Sequence, residues 1–319
     1  MDLLLWMLVF VASIFTLITA ARYFTRSAEI IGLTLGMSSF ATGVIIVAIG
    51  TSLPELISSI IAAAKGSTEM VAGNVIGSSI SNLFLVLGLT TVFAPRSVRL
   101  GDQYIFIDLH FLVGSAFLLA ITMWDGLLRP AEGAILLAGY CIYVVYLLKE
   151  GETEKDLLLQ EEVRQAVTRK RISRKDILII LLSSFCIFVG ANYTITSLEV
   201  IAGALGISKA IISVTLLSLG TTLPEAVVSV AASRQGKADI AVGNILGSCI
   251  FNAFSVTGIA SLISPIQVPQ DLISLSLPVY LVGVVMFYLI TQDKRISRWE
   301  GMLFLLFYIL FVAKIAGIA

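Results

Sequence analysis

Two acidic residues interrupt apolar runs that should not tolerate them. Glu55 closes the stretch Gly50-Thr51-Ser52-Leu53-Pro54-Glu55 inside a run from Phe40 to Ala64, and Glu225 closes Gly220-Thr221-Thr222-Leu223-Pro224-Glu225 inside a second one. A carboxylate deep in hydrocarbon persists only where a partner or an ion relieves its charge, and no Lys, Arg or His sits mid-run to do so. Helical spacing places Ala48, Thr51, Ser52 and Glu55 on one face, and Ser218, Thr221, Thr222 and Glu225 on the matching face of the second run. Pro54 has no N–H to donate, so the carbonyl one turn earlier, near Gly50, loses its helical partner. Carboxylate, hydroxyls and freed carbonyl oxygens form a ligand set for a hard cation. The bland alternative is a proline kink with a glutamate paired elsewhere; its repetition in two matching places points instead to a binding site.

The elements that hold these groups are themselves repeated. An offset of 170 residues relates the two glutamates, and the same offset relates Gly73-Asn74-Val75-Ile76-Gly77-Ser78 to Gly243-Asn244-Ile245-Leu246-Gly247-Ser248, and Asn82 to Asn252. Residues 29–89 align with 199–259 without a gap, with roughly two dozen identities, which marks an internal duplication. The glycines four apart read as points of close helix approach. Ser78, Asn82, Ser248 and Asn252 are expected to coordinate an ion. Asn74 and Asn244 fit coordination and interhelical hydrogen bonding equally.

Composition gives the environment: 58% hydrophobic and 13% charged residues, with a mean hydropathy of +0.99. About ten apolar runs of spanning length can be drawn, near 2–21, 38–64, 70–94, 103–123, 128–148, 175–197, 208–232, 239–263, 271–291 and 299–318. With the N-terminus outside, every Lys and Arg except Lys65, Arg129, Lys209 and Lys314 falls on the cytoplasmic side, as the positive-inside rule requires. Five spans per half then invert the second half relative to the first. The expected fold is an all-α integral membrane protein of about ten transmembrane helices, arranged as two inverted five-helix repeats with helices 2 and 7 broken. The repeats occupy 1–149 and 175–319, the charged stretch 150–174 is a cytoplasmic linker, and both termini lie outside the cell membrane.

The first run, preceded by Asp2 and followed by Arg22 and Arg26, reads as a retained helix and not a cleaved leader. Zero net charge gives no reason to expect a nucleic acid, and no obligate protein partner is evident beyond the lipid bilayer. Cys141, Cys186 and Cys249 read as packing residues without metal spacing. The single histidine, His110, reads as a packing or locally hydrogen-bonded residue with Asp108 as its possible partner.

At GTSLPE 50–55, GTTLPE 220–225 and the two GN-x-x-GS segments at 73–78 and 243–248, the sequence resembles the sodium/calcium exchanger family of the calcium/cation antiporters, in particular its compact prokaryotic members. The resemblance covers essentially the whole chain. It implies Na⁺ and Ca²⁺ as the transported ions, no organic cofactor and no catalytic residues. It makes Glu55 and Glu225 the central Ca²⁺ ligands, with the backbone carbonyls of Thr51 and Thr221. Flanking Na⁺ sites would use the Thr51, Ser52 and Ser78 side chains with the Ala48 carbonyl, and Thr221, Thr222 and Ser248 with the Ser218 carbonyl. Asn82 and Asn252 would complete the middle, and the first and sixth spans would move against the rest. Asn252 stands where many relatives, potassium-dependent ones included, carry Asp, which argues against K⁺ co-transport. Two rivals stay in view. A proton-coupled calcium/cation antiporter would carry its acid after a Gly-Asn motif and not in Leu-Pro-Glu. A passive cation channel could also be built from paired polar half-helices.

Overall fold

A segment in hydrocarbon must satisfy its backbone hydrogen bonds within itself, and for apolar runs of this length the solution is a helix. The computed structural model describes residues 3–100, 109–150, 173–204 and 222–317. Of the expected site residues, Ser218 and Thr221 lie outside the described residues. So do Asp108 and linker residues 151–172.

Among the described residues ten helices follow one another. They are α1 (Leu3–Thr34), α2 (Ser39–Ala64), α3 (Thr68–Val92), α4 (Leu109–Met123), α5 (Pro130–Glu150), α6 (Arg174–Ala204), α7 (Leu223–Arg234), α8 (Ala238–Ile263), α9 (Leu272–Asp293) and α10 (Arg298–Ile315). Seven are long and apolar enough to cross a membrane. Of the other three, α4 and α7 start at the edge of the described residues, and α10 carries Arg298, Glu300 and Lys314. The described residues also hold two short antiparallel ribbons: β1 (Val98–Arg99) with β4 (Arg295–Ile296), and β2 (Leu127–Leu128) with β3 (Ile266–Gln267).

α1 is longer than its apolar run. Charge at Arg22, Arg26 and Glu29 ends the hydropathy signal near residue 21 but not the helix, which continues for 32 residues, about 48 Å. The residues that follow the apolar run are therefore helical as far as Thr34. The stop comes at Gly36, whose φ of +78° suits glycine. There the N–H groups of Gly36 and Met37 reach back to the carbonyls of Leu33 and Gly32 at 3.1 and 2.9 Å, closing the helix end.

The equivalent helices α1 and α6 pack side by side and run in opposite directions. Ser13 meets Thr194 at 2.8 Å, and one turn further along α1 Leu17 lies against Gly190, one turn earlier on α6. This is the direction that inverted repeats demand. The pair forms its own apolar cluster with parts of α2, α7 and α8, around Leu17, Phe24, Val47, Ile187 and Val228. The main core lies around α3 and α8. The apolar window of α8 is 89% buried against 17% for α1, so α8 is central and α1 peripheral.

The expected break in the second span is an interrupted hydrogen-bond ladder inside a continuous helix. α2 holds Pro54 within it and a wide π-turn at Gly43–Val47. The described part of the seventh span starts at Leu223, with Pro224 in its first turn after Thr222 at φ −94°, ψ 1°, a position where the missing N–H is harmless. Further π-turns at Ser81–Val86 and Asn252–Val256 occupy matching places in α3 and α8. Such turns often mark functional positions.

The two halves interlock. A Cβ on Gly88 of α3 would sit 2.9 Å from the Gly301 carbonyl of α10, and a Cβ on Gly258 of α8 would sit 2.9 Å from the Gly133 carbonyl of α5. Each half's third helix is thus seated on the other half's fifth. The ribbons repeat the exchange, since β1 pairs with β4 and β3 with β2.

Candidate ion-binding site

α2 and α8 approach to backbone contact, and this is what assembles the polar groups. A Cβ on Gly243 would lie 2.6 Å from the Phe40 carbonyl, and one on Gly247 would lie 2.8 Å from both Val44 Cα and Ala48 Cβ. The close-approach reading thus holds for the second repeat. Among the described residues a Cβ on Gly73 would meet only Leu272 Cδ1, at 4.0 Å, and one on Gly77 would meet nothing within 4 Å.

With the helices this close, polar residues of opposite repeats meet. Ser52 Oγ lies 3.0 Å from both Glu225 Oε1 and Ser248 Oγ. The Glu225 carboxylate oxygen accepts a hydrogen bond from the Ser52 hydroxyl, and the Ser248 hydroxyl lies within hydrogen-bond distance of the same group. Asn252 Nδ2 donates to Ser78 Oγ at 3.0 Å. Thr51 Oγ1 lies 3.1 Å from Asn244 Oδ1 and 3.3 Å from the Ala48 carbonyl. The contacts of Ser52 with Glu225 and Ser248, and of Ser78 with Asn252, therefore run between repeats, while Ser78 also donates to the Val75 carbonyl of its own helix at 3.3 Å. Thr222 is buried at the start of α7.

Glu55 and Glu225 are 1% and 0% exposed. Both oxygens of Glu55, Oε2 of Glu225 and the amide oxygens of Asn82 and Asn252 are buried with no hydrogen-bond partner among the described residues. Unpartnered buried oxygens are costly, more so when charged, and their gathering here fits a cation. No group of three or more His, Cys, Asp or Glu side chains forms among the described residues. Carboxylate, hydroxyl and amide oxygens suit Na⁺ and Ca²⁺ better than thiophilic or imidazole-bound metals. Beside Gly50, whose carbonyl cannot accept from Pro54, a pocket of about 10 Å³ is lined by Thr51, Pro54, Ser184 and Pro224. That is room for about one water.

Asn74 and Asn244 resolve toward hydrogen bonding. Asn74 Nδ2 donates to Ser59 Oγ at 3.2 Å, and Asn244 Nδ2 donates to Ser229 Oγ at 2.8 Å. These serines were missed in the sequence, yet they carried a signal: Ser59 and Ser229 are identical across the repeat and stand one turn after each glutamate. The pairs tie α3 to α2 and α8 to α7. Replacing Asn244 by Ala removes partners from Ser229 and Thr51 at once, and should lower stability by about 1–3 kcal/mol, read as an earlier thermal unfolding midpoint in detergent. His110 is exposed on α4 and not packed. Of the cysteines only Cys249 is buried, while Cys141 is exposed.

The sequence matches the profile of the family described as Sodium/calcium exchanger protein in two stretches, residues 5–149 and 175–315. The chain belongs to this family. It is similar to the sodium/calcium exchanger MaX1 of Methanosarcina acetivorans, with 31% identity over 93% of this chain and 94% of the relative. It is also similar to the inner membrane protein YrbG of Escherichia coli, with 28% identity over 86% and 85% of the two chains. Among solved structures, the sodium-calcium exchanger NCX_Mj soaked with zero Na⁺ and Ca²⁺ superposes with a TM-score of 0.82 at 27% identity, covering 98% of this chain and 99% of that one. This member of the exchanger family is thus a multi-pass membrane antiporter of the same fold, a transporter and not an enzyme.

Proposed function

We propose that this exchanger moves Ca²⁺ against Na⁺ by alternating access, both ions binding between the repeats near the bilayer midplane. The observation that carries this reading is the set of buried oxygens on Glu55, Glu225, Asn82 and Asn252 that have no partner among the described residues. Glu55 and Glu225 are the shared Ca²⁺ ligands. Thr51, Ser52, Ser78, Ser248, Thr222, Thr221 and the carbonyls of Ala48 and Ser218 supply the Na⁺ positions, with Asn82 and Asn252 between them. One Ca²⁺ neutralises two ionised carboxylates, whereas Na⁺ must enter in several copies to do the same. Competition for the same two glutamates couples the ions. Three Na⁺ per Ca²⁺ would make the cycle electrogenic.

The protein resides in the cell membrane with both termini outside. Halves 1–149 and 175–319 are joined by a cytoplasmic segment, 150–174. The α1–α6 pair, with an apolar cluster of its own, is the unit that moves across the site.

Proteoliposomes loaded in turn with Na⁺, K⁺ or acid test the reading. Ca²⁺ uptake should require Na⁺ inside and should change rate when the membrane potential is clamped. Uptake driven equally by K⁺ or by protons would replace Na⁺ as the coupling ion, and uptake with no counter-ion gradient would make the protein a channel.

A further inference from the structure

A crevice of about 790 Å³ opens between α1, the end of α3 and α7. Arg22 and Arg26, one turn apart on α1, and Arg234 in the last turn of α7 line it. None of the three has a salt-bridge or hydrogen-bond partner among the described residues. Glu29, on the same end of α1, is held by Lys237 at 2.7 Å. Three guanidinium groups around one crevice repel each other unless an anion joins them.

The repeat shows that this charge is not part of the duplicated transport machinery. At the 170-residue offset, Arg22, Arg26 and Arg234 correspond to Asn192, Thr196 and Ala64, all neutral. Below the arginines the walls are apolar, with Leu89, Leu223 and Val227. Phe93 on the rim of the crevice precedes Ala94, whose carbonyl accepts from Arg298 Nη2 at 2.8 Å, and the adjoining Trp299 is 80% exposed, as a residue at the membrane–water interface is.

We propose that the crevice binds a phosphate-bearing anion, supplied as the headgroup of an anionic phospholipid. The guanidinium forks of Arg22, Arg26 and Arg234 take the phosphate oxygens, a geometry arginine suits better than lysine. The start of the acyl chains rests on Leu89 and Leu223. Leu223 and Ala226 on the crevice wall flank Glu225, so a bound phosphate also offsets the positive field on that side of the ion site.

The test is a titration of the purified full-length protein in a neutral detergent, read by native mass spectrometry. The probes are short-chain phosphatidylglycerol, short-chain phosphatidylcholine and inorganic pyrophosphate. One phosphatidylglycerol should bind saturably, and its affinity should fall about five-fold for each of Arg22→Gln, Arg26→Gln and Arg234→Gln. Arg129→Gln, on a different loop, should leave it unchanged. The triple Arg→Lys variant should bind more tightly than the triple Arg→Gln variant. Wild-type affinity in the triple Arg→Gln variant, or equal binding of phosphatidylcholine, would overturn the site. Pyrophosphate binding as tightly as the lipid would overturn the lipid as its source. Binding and not flux is read, so the outcome is independent of the ion assignment.

Discussion

Vesicles carrying Glu55→Gln or Glu225→Gln should lose Na⁺-driven Ca²⁺ uptake by roughly a thousand-fold. The magnitude follows from removing one unit charge at about 4 Å from a cation at an effective dielectric near 20, about 4 kcal/mol for each charge pair. The amide has nearly the shape of the carboxylate, so packing around Ser52 and Ser248 should survive. Both variants should therefore be recovered folded, and this separates a ligand from a structural residue. A second measurement sharpens the point. Ca²⁺ should raise the thermal midpoint of the wild type and leave that of either variant unmoved, because ligand stabilisation requires binding to the native state. Ca²⁺ flux at wild-type rate in both variants would refute the assignment of the central ligands.

The second large effect concerns packing. Gly243→Val should destabilise the protein by about 3 kcal/mol or more and abolish transport, since its Cβ would begin 2.6 Å from the Phe40 carbonyl. The obstacle is backbone and cannot rotate away. Relief requires α2 and α8 to separate, and that separation would pull Ser248 from Ser52. Gly114→Ala on α4, where a Cβ meets no atom within 4 Å among the described residues, is the matched control and should leave both properties unchanged. Thermal unfolding and Ca²⁺ uptake on the two variants check this. A Gly243→Val protein with the wild-type midpoint would mean that the close approach does not hold the site together.

Much of the site was legible because duplication writes it twice. The two Leu-Pro-Glu motifs and the glycine spacing follow from one offset in the chain, and the inversion of the halves from five spans in each. What stayed hidden has physical reasons. The end of α1 was misplaced because charged residues stop a hydropathy run while the backbone ladder continues to Gly36. Asn74 and Asn244 could not be assigned because an amide serves equally as ligand and as hydrogen-bond donor, and only the proximity of Ser59 and Ser229 decides between them. That Ser52 meets Ser248 and Ser78 meets Asn252 depends on which helices are neighbours across the repeats. The same holds for the seating of Gly88 on Gly301 and Gly133 on Gly258. Those pairs join residues from opposite halves, and no local pattern announces them.

That exchange of seats has a consequence for synthesis. As the chain emerges, α3 and α5 enter the membrane long before α10 and α8, the helices their glycine faces receive. The first half must therefore wait in the bilayer with two grooves lined only by lipid, held in place by its own five helices. β1 likewise has no strand beside it until β4 has been made. The tightly packed state is reached only after α8 and α10 have inserted, so the first half cannot complete its packing by itself.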